Sequence, residues 1–362
     1  MVDLFSHMNA GINALILDAL KVAVRKPKQL QFLRSFWKNL GAAEARRAAN
    51  EQTGLHVPPF LIASITSNCN LFCAGCYARA NQGCPSGAAG SPLSAERWRE
   101  LFAEAGKLGV CFILLAGGEP LLRADVLAVA AQYPQIIFPV FTNGTLFGDD
   151  AIALFDQHRN MIPVISLEGE KRETDKRRGE GVFDKTVEAM AALKKNKVLF
   201  GVSVTVTRAN VTDVTSASFM KSLKDRGCGL VFYVEYVPSD TVSQDIAPTE
   251  AEREILEAAV NRLKQSSRML VISFPGDEKE TGGCLAAGRG FVHINMDGSV
   301  EPCPFSPYSD TNLIDITLRQ ALQSPFLTRM REDGFLLGEH AGGCLLFEKQ
   351  EEVRAMLKEL RS

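Results

Sequence analysis

Short apolar runs alternate with longer amphipathic segments through the middle of this chain. The runs that favour strands lie at 60–65, 110–116, 136–141, 162–167, 200–207 and 231–237. The segments between them are long enough for crossover helices, as at 94–108, where Ser94 can cap the first turn. Strands that alternate with helices predict parallel βαβ units. We therefore predict an α/β domain over residues 58–238.

The segment before this domain, residues 1–57, predicts helices. Apolar positions recur on one helical face at Ile12, Leu15, Ile16, Ala19 and Ala23. Lys and Arg outnumber Asp and Glu here, and a basic amphipathic segment can lie on a membrane surface. The commoner alternative is that such helices pack on their own domain with the charges in solvent, and we expect that here.

Three cysteines follow the first predicted strand with the spacing Cys-x-x-x-Cys-x-x-Cys, at Cys69, Cys73 and Cys76. A four-iron, four-sulfur (4Fe-4S) cluster is normally held by four thiolates, so three leave one iron without a protein ligand. A structural zinc site would need a fourth Cys or His, and the next candidate, Cys84, lies eight residues further on. Three unrelated buried thiols are the remaining alternative.

Further motifs follow the next three predicted strands. Residues 117–120 are Gly-Gly-Glu-Pro, residues 142–145 are Thr-Asn-Gly-Thr, and Glu168-Gly169 follows the fourth strand. With the cysteine loop, they resemble the GGEP, TNG and SxDG motifs of the radical S-adenosylmethionine (radical SAM) superfamily, with Glu168 where Asp is more usual. The resemblance implies a partial (β/α)6 barrel.

The resemblance also implies roles for individual residues. Cys69, Cys73 and Cys76 would hold the catalytic 4Fe-4S cluster. The residues implied to bind S-adenosylmethionine are Tyr77, Gly117, Gly118, Glu119, Thr142, Asn143, Ser166, Glu168 and Arg178. Residues 117–119 would take the methionyl amine, Asn143, Ser166 and Glu168 the ribose and adenine, and Arg178 the carboxylate.

In such an enzyme the reduced cluster passes an electron to the sulfonium of S-adenosylmethionine. The cofactor then splits into methionine and a 5′-deoxyadenosyl radical, which takes a hydrogen atom from the substrate. An electron donor such as flavodoxin or ferredoxin is implied.

Two strands predict which side chains face the barrel interior. In the fifth strand, three valines alternate with Ser203, Thr205 and Thr207, and we expect the hydroxyls inside because helices cover the outside. These hydroxyls could also simply bond to the backbone. In the sixth strand the alternation predicts Tyr233 and Glu235 inside. We predict a catalytic, substrate-contacting role for Glu235, because a buried acid is costly unless paired.

A second set of cysteines occurs in residues 239–362, which we predict to be a small α+β domain. Cys284 precedes a hairpin whose strands, 291–296 and 299–301, meet at Asp297-Gly298, and Cys303 and Cys344 follow. This pattern resembles the twitch module, a shortened SPASM extension that holds an auxiliary 4Fe-4S cluster. The family expects a further cysteine where this chain has Phe347.

The departure at Phe347 leaves several possibilities for the second set. The auxiliary cluster could keep an open iron, His340 or Cys84 could close it, or the cluster could be absent and the thiols part of the core. We favour an auxiliary cluster on Cys284, Cys303 and Cys344.

Composition narrows the functional classes. The net charge is −2 over 362 residues, so the chain lacks the excess positive charge that is typical of nucleic-acid-binding proteins. No run of about 18 apolar residues predicts a membrane span, and the first residues lack the layout of a secretory signal. Nine cysteines, an odd number, favour metal-ligating thiols in a reducing cytoplasm.

We therefore predict a radical SAM oxidoreductase or related enzyme with three sections, residues 1–57, 58–238 and 239–362. A small-molecule or lipid substrate is favoured, because the helical first section offers no strands for a winged-helix peptide-recognition domain. A peptide-modifying maturase is one alternative. The other is a non-catalytic iron-sulfur electron carrier or zinc module, which would not need the GGEP and TNG motifs.

Overall fold

The computed structural model describes residues 3–80, 91–238, 242–274, 281–337 and 344–361. Its strands are β1 (Phe60–Ser64), β2 (Phe112–Ala116), β3 (Phe138–Thr142), β4 (Met161–Ser166), β5 (Gly201–Val206), β6 (Leu230–Glu235), β7 (Leu270–Phe274), β8 (Phe291–Ile294) and β9 (Val300–Glu301). They form one sheet in the order β7-β6-β5-β4-β3-β2-β1-β8-β9. Each pair from β7 to β8 is parallel, and β9 is antiparallel to β8.

Helices lie before, between and after these strands. In chain order they are α1 (Leu4–Val22), α2 (Pro27–Glu51), α3 (Tyr77–Ala80), α4 (Ala95–Leu108), α5 (Ala124–Ala130), α6 (Asp149–Gln157), α7 (Lys171–Arg178), α8 (Val182–Lys195), α9 (Val211–Val214), α10 (Ala217–Asp225), α11 (Glu250–Ser266), α12 (Leu318–Leu322), α13 (Pro325–Glu332), α14 (Leu345–Glu348) and α15 (Gln350–Arg361). Short 3₁₀ turns lie at Ala23–Arg25, Pro120–Leu122 and Val242–Ile246. Ser94 caps α4 by accepting a hydrogen bond from the backbone N–H of Arg97, as its sequence predicts.

The sheet curls into a barrel. The ring of Phe274 on β7 lies 5.4 Å from the ring of Phe291 on β8, so the two ends of the parallel array meet through side chains. Across the interior, Phe141 on β3 lies 5.2 Å from Phe232 on β6. The predicted partial barrel is confirmed, with β1 to β6 at the six predicted runs. Two further parallel strands, β7 and β8, extend it, and β8 joins β1 although the sequence suggests only a hairpin there.

The inward and outward faces follow from the strand register. Val204 and Val206 on β5 are fully buried against the helix layer, and they lie opposite Tyr233 and Glu235 on β6. Neighbours in a parallel register share a face, so Tyr233 and Glu235 also point outward. The predicted inward orientation of these two side chains was therefore wrong.

Both polar side chains of β6 find partners in the outer layer. The Tyr233 hydroxyl donates to the backbone oxygen of Val214 at 2.7 Å, and Arg253 of α11 donates to the Glu235 carboxylate at 2.7 Å. These partners lie on helices before and after β6, so the alternation within the strand could not reveal them. The predicted substrate contact of Glu235 rested on that orientation.

The first two helices close the amino-terminal end of the barrel. Ile12 and Ile16 of α1 and Leu33, Phe36 and Leu40 of α2 pack against the first residues of the strands. The strand-side residues of this group are Phe112, Ile137, Ile162, Leu199, Leu230 and Leu270. We call this group the apolar floor. The helices predicted for this segment are confirmed, and their apolar face is used against the barrel.

Among the described residues, no helix combines the length and the hydropathy that a membrane crossing requires. The division of the chain at residues 57 and 238 stays a prediction.

The apolar floor predicts a large cost for removing one of its rings. Phe36 is 4% exposed and its ring lies 6.0 Å from that of Phe112. We expect Phe36→Ala to lower the free energy of unfolding by about 3 to 5 kcal/mol, measured by urea denaturation of the cluster-free protein. Leu17→Ala, on the exposed side of α1, is the control and should cost less than about 0.5 kcal/mol. Equal costs for the two variants would contradict packing of α2 into the barrel.

Candidate active site

The first cysteine loop leaves β1 at the carboxyl-terminal end of the barrel. Cys69, Cys73 and Cys76 are free, half-buried thiols on this loop. Burial raises the pKa of the Cys69 thiol, and the negative charges of Glu119 and Cys73 add to the rise. A metal ion must therefore displace a proton to bind there.

The backbone of the cysteine loop lies directly on two glycines. The N–H of Gly118 donates to the oxygen of Thr66 at 2.6 Å, and the N–H of Glu119 donates to the oxygen of Asn68 at 2.8 Å. A Cβ atom at Gly118 would come within 2.0 Å of the Asn68 oxygen, and one at Gly117 within 2.2 Å of the Thr66 oxygen. Gly117 also has φ +123°, a conformation that other residues rarely adopt. These glycines therefore place the cysteine loop.

Glu119 connects this turn to the turn after β3. Its side chain is fully buried, and its Oε1 accepts hydrogen bonds from the Leu121 N–H at 3.0 Å and the Thr142 hydroxyl at 2.7 Å. Its Oε2 accepts from the Asn143 N–H at 2.7 Å. Burial raises the pKa of Glu119, although these hydrogen bonds oppose the shift. The carboxyl group thus holds the two motifs together.

Asn143 reaches from this turn to the cysteine loop. Its Nδ2 donates to Asn70 Oδ1 at 2.8 Å and lies 3.9 Å from the Cys69 sulfur. Its Oδ1 accepts from the N–H and the hydroxyl of Thr145. The structure therefore brings Thr142, Asn143 and Glu119 together beside Cys69.

On the opposite side of the loop, two arginines of α7 share one carboxylate. Glu168 Oε1 accepts from Arg177 Nη1 at 2.5 Å and from Arg178 Nε at 2.8 Å. Arg178 Nη1 also lies 3.9 Å from the Cys73 sulfur. Arg177 further bonds to the cysteine loop, since its Nε donates to the Ala74 oxygen and its own oxygen accepts from the Ala74 N–H.

Two buried oxygens near this loop have no hydrogen-bond partner among the described residues. They are Glu168 Oε2 and Tyr236 Oη. An unsatisfied buried oxygen is costly, so a bound ligand is the natural partner for each. Ser166 is the last residue of β4 and pairs with Ser203 of β5. Both serine side chains face the barrel interior.

Tyr236 and Arg177 contact the cysteine loop, and sequence reasoning missed both. Tyr236 lies just beyond β6, and a Cβ atom at Gly75 of the cysteine loop would come within 2.4 Å of its hydroxyl. The hydrogen bond from its N–H to the Val206 oxygen continues the register of β5 and β6. The register shows that Tyr236 faces the barrel interior. It cannot be read from the sequence, because it depends on how β5 and β6 pair.

Residues 63–226 match the sequence model of the Radical SAM superfamily. The matched part, a little under half of the chain, is a radical SAM domain. Enzymes with this domain use a 4Fe-4S cluster and S-adenosylmethionine as cofactors. Three half-buried thiols, the close glycine turn and the two unpartnered oxygens fit such a pair of groups.

Relatives with assigned activities are similar over most of the chain. The AdoMet-dependent heme synthase of Methanosarcina barkeri is 25% identical over 313 residues, which are 79% of this chain and 88% of the relative. The mycofactocin maturase MftC of Mycolicibacterium smegmatis is 27% identical over 70% of this chain and 66% of its own length.

A solved structure is similar in fold. Streptococcus suis SuiB bound to its precursor peptide SuiA superposes with a TM-score of 0.62 at 16% identity, covering 84% of this chain and 71% of SuiB. At this identity the likeness concerns the fold alone.

The second set of cysteines in this radical SAM enzyme also comes together. Cys284 and Cys303 are buried and Cys344 is half-buried. Burial raises the pKa of Cys303 well above its usual value, and the nearby Cys344 and Cys284 thiols contribute. The N–H of Cys284 donates to the Leu336 oxygen at 2.9 Å. His340 and Cys84, the proposed fourth ligands, lie outside the described residues.

Tyr77 lies between the two sets of thiols. Its ring meets that of Phe305 edge-on, with centroids 5.2 Å apart, two residues after Cys303. Burial raises the pKa of Tyr77, and the charges of Cys76, Cys303 and Glu301 add to the rise. The phenol therefore stays protonated and can donate a hydrogen bond.

In the part of the chain that the structure describes, no group of three or more Cys, His, Asp or Glu converges on a point suited to one metal ion. Thiolates of a 4Fe-4S cluster bind different irons. They do not need to meet at one point.

Because Gly118 contacts the cysteine loop so closely, adding one methyl group at this position should weaken cofactor binding. Gly118→Ala should displace the loop and weaken S-adenosylmethionine binding about tenfold or more, or about 1.4 kcal/mol. Isothermal titration calorimetry under anaerobic conditions measures this change. The control is Gly148→Ala, because a Cβ atom there has nothing within 4 Å. Unchanged affinity in Gly118→Ala would contradict the role of the turn.

Proposed function

We propose that this enzyme takes a hydrogen atom from a small organic molecule or lipid, using S-adenosylmethionine at a cluster held by Cys69, Cys73 and Cys76. The observation that carries the proposal is the position of these thiols between the Gly117–Glu119 turn and the Glu168–Arg178 pair. When bound, the cluster and cofactor supply a one-electron cleavage that generates a 5′-deoxyadenosyl radical. The protein supplies the binding, the orientation and the exclusion of water.

The contacts around the loop support a proposed role for each residue. Gly117 and Gly118 fix the loop and expose backbone groups to the methionyl amine, while Glu119 and Thr142 hold that turn rigid. The free oxygen of Glu168 suits a ribose hydroxyl, with Asn143, Ser166 and Tyr77 as further polar contacts.

Arg178 lies close enough to Cys73 to favour a negatively charged ligand at the adjacent iron. This arrangement supports its assignment to the carboxylate of the cofactor.

The lumen supports a substrate with an apolar part. Phe60 stacks on Phe112 of the apolar floor at 4.9 Å, and Phe141 and Phe232 meet across the interior. Residues 3–59 contain helices and no strand, so they offer no winged-helix domain for a peptide. The similarity to a heme synthase over most of the chain also favours a small molecule.

A peptide substrate is the second candidate. The maturase MftC is similar over 70% of this chain, and SuiB, which shares the fold, has been solved with a precursor peptide. Mass spectrometry of small-molecule and peptide fractions after turnover with deuterated substrate pools separates the two, because the label moves into 5′-deoxyadenosine only from the true substrate class.

We further propose an auxiliary 4Fe-4S cluster on Cys284, Cys303 and Cys344. Burial raises the pKa of Cys303, and the Cys344 and Cys284 thiols lie close enough to add to the rise, which supports a shared site. The backbone geometry at Gly283 also supports it, since a Cβ atom there would come within 2.1 Å of the Leu336 oxygen. This glycine lets the Cys284 segment approach the neighbouring chain closely.

The catalytic cluster has a direct test. Replacing Cys69, Cys73 and Cys76 with Ala should remove about four irons per chain and abolish the formation of 5′-deoxyadenosine with a strong reductant. Anaerobic reconstitution with iron counting and chromatography measures both. Cys228→Ala, a buried thiol outside both sets, is the control and should retain iron and cleavage. Full iron content in the triple variant would contradict the assignment of these three cysteines as cluster ligands.

The auxiliary cluster has a parallel test. The parent should reconstitute to about eight irons per chain, and the triple Ala variant of Cys284, Cys303 and Cys344 to about four. Cleavage of S-adenosylmethionine should persist in that variant, because the catalytic loop is intact. A parent that holds only about four irons and loses none of them on this replacement would mean that the second domain carries no cluster.

A further inference from the structure

A buried row of three polar side chains crosses the sheet beside the cysteine loop. Ser64 Oγ lies 2.8 Å from His293 Nε2, and His293 Nδ1 lies 2.7 Å from Glu301 Oε2. All three residues are more than nine-tenths buried. They come from β1, β8 and β9, which are neighbours in space although more than two hundred residues separate the first from the others.

The register places this row on the inward face. His293 pairs with Ile62, which is two residues before Ser64 on β1, and Glu301 pairs with His293. Phe60, on the same face of β1, stacks on Phe112 of the apolar floor. Ser64 therefore lies inside the barrel at the carboxyl-terminal end of β1, on the side where barrel enzymes keep their active sites.

The partners fix the protonation pattern of the neutral imidazole. A carboxylate can only accept, so Nδ1 carries the proton and donates it to Glu301. Nε2 then holds a lone pair that accepts the hydroxyl proton of Ser64. Asn295 Nδ2 donates to the second carboxylate oxygen of Glu301 at 2.9 Å, which holds the acid in place. This is the arrangement by which an imidazole activates a hydroxyl.

A purely structural tie between β1 and the hairpin would not need these groups. Burying a carboxylate, an imidazole and a hydroxyl costs desolvation that well-packed apolar side chains of similar size avoid. The position of the row supports a chemical role as well. It lies between the loop that carries Cys69 and the hairpin that leads to Cys303.

We propose that Ser64, His293 and Glu301 form a proton relay that accepts a proton from a hydroxyl or protonated amine of the substrate in the chamber. The substrate proton passes to Ser64 Oγ as the Ser64 proton passes to His293 Nε2. Glu301 takes no proton and stabilises the imidazolium. No electron moves in this step, so it needs no oxidant. The relay rests on the proposed function only for the presence of a substrate in the chamber.

The test uses an electrophile that reports an activated hydroxyl without cofactor turnover. Diisopropyl fluorophosphate is added to the reconstituted holoenzyme, without S-adenosylmethionine, and the modified serine is located by peptide mass spectrometry. The Ser64 oxygen bonds to phosphorus, fluoride leaves, and the proton goes to His293. Ser203, a serine of the same lumen face with no histidine partner among the described residues, is the internal control.

We expect Ser64 to react about tenfold or more faster than Ser203, and His293→Gln and Glu301→Gln each to remove most of that advantage. Iron content of the variants reports whether they fold. Ser64 reacting no faster than Ser203 in the parent would overturn the relay, and this comparison needs no variant. A rate unchanged in His293→Gln would overturn it equally. Failure of this test leaves 5′-deoxyadenosine formation untouched, so it is distinct from failure of the proposed function.

Discussion

The site depends on the close packing of the cysteine loop against Gly117 and Gly118. Two short backbone hydrogen bonds, to the oxygens of Thr66 and Asn68, fix the loop at a distance that no side chain at Gly118 allows. Because backbone geometry sets this contact, the loop position does not depend on flexible side chains. Glu119 then carries the same restraint to Asn143, which lies beside Cys69. The cysteine loop, the Gly117–Glu119 turn and the turn at Thr142 and Asn143 therefore hold one another in position.

The two ends of the barrel interior differ in polarity. At the amino-terminal end, Phe36 and its neighbours on α1 and α2 fill the interior with apolar side chains. At the carboxyl-terminal end the interior carries Ser64, Ser203, Thr205 and Glu168. Hydrophobic burial at one end offsets the cost of unsatisfied polar oxygens at the other. This division allows a polar chamber to exist inside a stable barrel.

Much of this arrangement could be predicted from the sequence, and the failures share a cause. The runs of β1 to β6, the helices of residues 1–57 and the motif order are local patterns, and the structure contains those elements. The outward orientation of Glu235 depends on Arg253, and the place of β8 beside β1 depends on a strand two hundred residues away. Neither partner is visible in a local pattern. The same limit concealed His293, whose surroundings exist only once β8 pairs with β1.

The charges of Arg177, Arg178 and Glu168 do not cancel, and this favours an anionic ligand beside them. Arg177 and Arg178 both donate to one oxygen of Glu168, so the group carries one positive charge more than its carboxylate neutralises. Both arginines are partly buried, and an anion close to them stabilises the excess charge. The Cys73 sulfur at 3.9 Å from Arg178 supplies one such anion when it is a thiolate. In the proposed complex, the carboxylate of S-adenosylmethionine would supply another. The arginine pair therefore favours the occupied site over the empty one, and the free oxygen of Glu168 remains available for a hydroxyl donor beside it.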